Sequence, residues 1–149
     1  MMKISHVYVD HKQMPKPTVK SMPSLTETNE IEVSIHTAYL SQQSEPQKNY
    51  FVFSYTITIT NHSTEAVQLL TRHWTITDAN GETTTVDGDG VIGKTPTILP
   101  NQSFTYTSGS AFKTPVGTMH GHYQMRNNKD QYLHVNIPVF RLAIPNILN

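Results

Sequence analysis

The chain contains no cysteine. That absence excludes a disulfide framework, a thiolate nucleophile and any zinc or iron–sulfur centre held by cysteine. An excess of either charge is also missing, since 11 Lys+Arg stand against 11 Asp+Glu and the net charge is zero. Without such an excess the chain lacks the long-range field with which nucleic-acid and anionic-membrane binders collect their partners. No stretch approaches the roughly 20 apolar residues of a membrane-spanning helix, and residues 1–8 hold no apolar run of leader length. A soluble cytoplasmic protein is therefore expected, with the acceptor-like triplets at Asn61 and Asn101 idle. Charged residues make up only 15% of the chain, against about 25% in a typical domain. Threonine fills much of that gap with 20 copies, and its β-branched side chain favours strands.

At 149 residues the chain suits one domain with a single core. Residues 1–28 differ from the rest. They carry four lysines, three prolines (Pro15, Pro17, Pro23) and little apolar periodicity. Each proline biases its predecessor away from helix, and so polar a segment cannot bury enough apolar area to offset its ordering entropy. The division expected is a flexible extension over residues 1–28 and one globular domain over 29–149. Only Ile4, Val7 and Val9 hint at a short strand in the extension, which could also act as a basic arm.

From Glu30 onward a period of two takes over. Phe51, Phe53, Tyr55, Ile57 and Ile59 fall on one phase, with Ser54, Thr56, Thr58 and Thr60 on the other. That alternation predicts a strand with one buried face. Similar phases run through Ile31/Val33/Ile35, Leu70/Trp74/Ile76, Phe104/Tyr106, Met119/Tyr123/Met125 and Leu133/Val135/Ile137. Turn chemistry separates them at residues 78–81, 87–90, 99–101 and 127–130. No window carries a helical stripe. The reading is an all-β antiparallel sandwich of about seven strands, fibronectin III- or immunoglobulin-like, with Trp74 as a core aromatic on the third strand after Glu30. At Pro138 the apolar phase changes from odd to even, which predicts a bulge and a final strand that switches sheets.

Several segments together resemble a known family. Residues 69–81 (LLTRHWTITDANG) are followed by residues 86–96 (VDGDGVIGKTP), residues 106–125 (YTSGSAFKTPVGTMHGHYQM) and residues 137–142 (IPVFRL). In this order they resemble the bacterial ApaG (CorD) proteins across about residues 30–149. The resemblance implies a fibronectin III/immunoglobulin-like sandwich. It also implies a link by gene neighbourhood to dinucleoside-polyphosphate breakdown, and by phenotype to cobalt and magnesium tolerance. Related domains in F-box and DNA-polymerase-delta-interacting proteins look like binding modules. Residues before 28 fall outside the resemblance, which makes Met22 an alternative start.

Three constellations invite a chemical reading. Gly88, Gly90 and Gly93 match G-x-G-x-x-G, and Gly88–Thr95 also matches the phosphate-loop pattern G-x-x-x-x-G-K-T. Both patterns work by converging backbone N–H groups and a helix N-terminus on phosphate. Pro96 and Pro100 forbid a helix here, and Asp87 and Asp89 would repel an anion. An anion nest on the loop amides, with Lys94 alongside, is the weaker alternative to plain turn glycines. Arg72 shares the inward phase of Trp74, so it is expected either to pair locally as a structural arginine or to line a crevice for an anion. His120 and His122 share the polar face of one strand, and His134 the polar face of the next. Matched faces require an even sum of paired residue numbers, which excludes a two-residue hairpin at 128–129 and predicts a three- or five-residue loop. His134 then lies opposite His122 or Gln124. Three imidazoles so gathered could hold Co²⁺, Ni²⁺ or Zn²⁺, or simply fill a solvated face.

No serine–histidine–aspartate arrangement sits in a nucleophile turn, so an enzyme is not expected, nor is a cofactor. The expected function is a binding module whose partner is another protein. The alternative is a phosphate-bearing small molecule or a divalent cation. No nucleic acid and no membrane partner is expected, and the sequence leaves the oligomeric state open.

Overall fold

Residues 8–9 and 26–147 are described by the structure, a computed structural model. Most of the extension expected at 1–28 lies outside the described residues. Its described parts, β1 (Tyr8–Val9) and β2 (Thr26–Glu27), pair in parallel with other strands. Seven long strands follow: β3 (Ile31–Tyr39), β4 (Phe51–Asn61), β5 (Val67–Asp78), β6 (Thr83–Asp89), β8 (Ser103–Phe112), β9 (Val116–Asn127) and β10 (Tyr132–Ala143). A two-residue strand, β7 (Thr97–Ile98), lies between β6 and β8, and two single 3-10 turns occupy residues 41–48 between β3 and β4. One sheet has the order β1-β8-β4-β3. The other runs β2-β10-β9-β5-β6, with β7 also beside β5. This is the all-β sandwich expected from the alternation.

Between the sheets the inward phases meet. Phe53, Tyr55, Ile57 and Ile59 of β4 face Trp74, Met119, Tyr123, Val135 and Ile137 in one buried cluster. Trp74 packs edge-on against Tyr55 at 5.3 Å and Phe140 at 5.8 Å between ring centroids, an arrangement that aromatic quadrupoles favour. The buried hydroxyls of Tyr106 and Tyr123 pair with each other across the sandwich, which satisfies two polar groups that the core would otherwise strand.

Three local expectations need correction. The phase change at Pro138 is a bulge, with Ile137 opposite Gly121 and Phe140 opposite Met119. The strand nevertheless stays beside β9 on both sides of it and does not switch sheets, because one inserted residue is enough to turn Phe140 and Leu142 inward. On β5 a second bulge at Leu70 shifts the register between Leu69 and Thr71. Leu69, rather than Leu70, therefore belongs to the core together with Trp74 and Ile76. Residues 87–89 are the end of β6, not a turn, and the turn comes later, where Ile92 and Gly93 have φ of 44° and 77°. The hairpin parity holds. Tyr132 pairs with Arg126, and Asn127 N–H donates to Gln131 O at 3.0 Å, which closes a three-residue loop over residues 128–130.

Candidate functional site

Strands β5 and β6 and the turn after β6 carry the features singled out around the glycine segment, and the pairing of the two strands sorts their residues onto two faces. Arg72 stands opposite Gly88 on the core face, and His73 stands opposite Asp87 on the outer face. Adjacent residues on each strand thus take part in two unrelated constellations.

On the core face, Arg72 is 5% exposed and its Nη1 donates to the carbonyls of Asp89 and Gly90, both at 3.0 Å. A buried guanidinium needs such acceptors, because an unpaired buried charge costs several kcal/mol. Gly88 lies directly under it, and a Cβ there would come within 2.6 Å of Arg72 Nη1. Glycine at 88 is therefore space for the arginine, not a phosphate contact. Three of the loop amides are committed as well. Gly90 N–H donates to the carbonyl of the bulge residue Leu70 at 2.8 Å, Val91 N–H to Lys94 O at 2.8 Å and Lys94 N–H to Val91 O at 2.9 Å. Gly93 supplies the left-handed turn, and Lys94 is exposed. No helix follows. Gly88, Gly90 and Arg72 are thus brought together, with Arg72 tied locally to the backbone, whereas Gly93 and the Lys94 side chain lie exposed at the turn beyond them.

On the outer face, four side chains from four neighbouring strands form a row. His73 Nδ1–H donates to Asp87 Oδ1 at 2.5 Å. The His73 ring stacks on His122 with centroids 5.0 Å apart and planes 21° apart. On its other side, His122 meets His134 at 4.5 Å. His134 pairs with Gln124, one of the two partners that parity allowed, and so reaches His122 diagonally. Gly121, beside His122, lets β5 and β9 approach here, since a Cβ would collide with the carbonyl of His73. Burial holds the His122 pKa below the ordinary 6.5. His134 and then His73 push it the same way, and Asp87 opposes them.

The trio expected from the sequence is only partly assembled. His122 and His134 meet, whereas His120 is exposed and pairs with Thr75 instead. Among the described residues no group of three or more His, Asp or Glu side chains has the geometry to hold a metal ion. His73 stacks on His122, and His134 packs against His122 tilted by 33°. Sequence reasoning missed His73 and the true role of Asp87. The parity of β5 marks His73 as outward, but its meeting with His122 depends on β5 lying beside β9, a pairing between strands far apart in sequence.

At one end of the sandwich a cavity of about 310 Å³ lies between β2, β3 and the loops before β5 and β10. Glu30, Glu65 and Lys129 line it, and Lys129 Nζ pairs with Glu65 at 3.2 Å. None of the residues singled out from the sequence reaches it.

The comparisons agree with these motifs. The family model of the ApaG domain matches residues 41–127. Protein ApaG of Sodalis glossinidius is 50% identical over 117 residues, covering 78% of this chain and 94% of the relative. Protein ApaG of Vibrio atlanticus is 51% identical over 119 residues, covering 80% and 94%. A structural-genomics target solved by X-ray crystallography is 49% identical, with a TM-score of 0.77 over 81% of this chain and 92% of that one. A crystal structure of a Bordetella pertussis protein is 36% identical, with a TM-score of 0.77 over 83% and 100%. The chain belongs to the ApaG domain family.

Proposed function

We propose that the protein is a non-enzymatic, cytoplasmic binding module of the fibronectin III/immunoglobulin-like kind, and that its ligand is another protein. The observation that carries this reading is the edge of the six-stranded sheet. Among the described residues β6 pairs with β5 on one side only, and its Thr83, Thr84 and Thr85 are exposed. Natural proteins guard such edges with charged side chains, lysine above all, with proline or with a bulge. The charges of β6 are confined to Asp87 and Asp89 at one end, away from the three threonines. β6 has no lysine or proline, and its register with β5 runs without a shift. An extended segment of a partner can add to such an edge, with main-chain hydrogen bonds supplying affinity. Exposed Asp89 at the far end favours a basic residue at the matching position of that segment.

The glycine segment supports the same reading from the other side. The N–H groups of Gly90, Val91 and Lys94 are spent on backbone carbonyls, and the Asp89 and Gly90 carbonyls on Arg72, which leaves fewer donors for a pyrophosphate-bearing ligand. The experiment is capture of partners from lysate on the wild type and on Thr85→Lys, run beside thermal shifts with pyrophosphate and ATP. The expected result is a protein retained by the wild type and lost by the variant, with no shift from either anion. A shift with pyrophosphate that disappears in Lys94→Ala would replace this reading with a ligand-binding one.

A further inference from the structure

The row of Asp87, His73, His122 and His134 has no part in the edge reading, and no sequence motif marks it. Its members come from four strands that are neighbours in space, in the order β6, β5, β9, β10. Asp87 fixes one end: the bond from His73 Nδ1 holds that ring's plane and leaves Nε2 as the unprotonated nitrogen of the neutral imidazole. His122 is then packed between two other imidazoles, stacked on His73 at 5.0 Å and tilted against His134 at 4.5 Å. Neutral rings can share such a column. A proton on the middle ring places a cation within about 5 Å of two other imidazoles, which disfavours a charge on either neighbour.

We propose that this row is a proton-operated switch in the outer face of the six-stranded sheet. With the rings neutral, the three imidazoles stack and close the face. When the row takes up protons, His122 leaves the stack and the face becomes cationic.

The surrounding charges determine how the switch is poised. From β6, Asp87 and Asp89 stand on this face, and Asp87 is the one bonded to the row. From β5 comes His73. β9 itself carries His120 two residues before His122 and Arg126 four residues after it, both on the same outward phase. From β10 come His134 and, two residues away, Tyr132, and Glu27 of β2 is in register beside His134. One carboxylate thus works against burial and two imidazoles at His122, which favours the neutral stack near pH 7.

The test is a pH titration of the histidine ring signals by NMR on the full chain, with a chelator present so that no metal ion competes. In the wild type His122 should titrate below 6.5. Ring-to-ring Overhauser contacts between His122 and His134 should be present above that transition and absent below it. His134→Gln removes a repelling neighbour and should move the His122 midpoint up. Asp87→Asn removes the attractive charge and should move it down. His134 is on an outward position of β10, so its variant should keep the fold and decides the matter alone. An unchanged His122 midpoint in His134→Gln would reduce the row to a merely buried ring and overturn the proposal. Ring contacts that persist through the titration would overturn it equally.

Discussion

Arg72 and His73 are consecutive on β5, and so are their partners Gly88 and Asp87 on β6, yet the two pairs behave as opposites. The inward pair is locked. Arg72 keeps its charge at every relevant pH and spends it on two backbone carbonyls. The outward pair belongs to a row of imidazoles whose middle ring, His122, is held below its ordinary pKa, so the charge on this face is not permanent. A strand's alternation assigns each residue to a face. The permanence of the charge on that face then decides whether it serves as a structural tie or a responsive surface.

The largest effect should come from breaking the inward pair. Arg72→Ala removes the donor from the buried Gly90 carbonyl and the part-buried Asp89 carbonyl, together with the packing of a buried side chain. Each buried group left unsatisfied costs about 1–3 kcal/mol, so chemical denaturation should register a loss of about 3 kcal/mol or more. Arg72→Met, which restores volume but no donor, should recover only part of it. Full stability in Arg72→Met would mean that the guanidinium acts as filler and that the comparison fails.

Next in size is Gly88→Ala. Its new Cβ would press on Arg72 Nη1 at 2.6 Å, and overpacking of this kind costs about 1–3 kcal/mol. Combining it with Arg72→Ala should relieve the clash, so the double variant should lose less than the sum of the two. Simple additivity would show that the two residues do not press on each other.

The outward pair should respond to pH instead. The folded-state pKa of His122 lies below its unfolded value of 6.5, so protonation favours the unfolded chain. Its contribution is fully present above 6.5 and is lost as pH falls through 6.5 toward the folded value. Melting temperature measured from pH 7.5 to 5 should decline, and His122→Gln should flatten part of that slope. An identical slope in the variant would assign the decline to other groups. Arg72 variants should lower the whole curve without bending it.

The smallest effect concerns Lys94. Its side chain is exposed, and its backbone already makes the Val91–Lys94 bridge. Lys94→Ala should change stability by less than about 0.5 kcal/mol. Both proteins should hydrolyse neither ATP nor GTP, because no helix follows the loop. Turnover lost in Lys94→Ala would restore the phosphate-loop reading.

The sequence by itself determined whatever depends on local periodicity. A period of two from Glu30 onward places Phe53, Tyr55, Ile57 and Ile59 in a core and Thr56, Thr58 and Thr60 outside it, and the structure pairs those threonines with hydroxyls of β8. Parity, itself a consequence of the pleat, excluded a two-residue hairpin and narrowed the partner of His134 to His122 or Gln124, and the structure chose the loop at residues 128–130 and Gln124. Prolines at 96 and 100 removed the helix that the glycine pattern needs. Only the tertiary structure decided which strands lie side by side. β5 meets β9 across the 37 residues from 79 to 115, and nothing local encodes that choice, because strand order follows from how the two apolar faces close on each other. His73 therefore found His122, and Asp87 became one end of a histidine row, through a pairing that no window of the sequence contains. The bulge at Leu70 is of the same kind. It appears where β5 must satisfy β9 on one side and the Gly90 amide on the other, so its position was set by two neighbours at once.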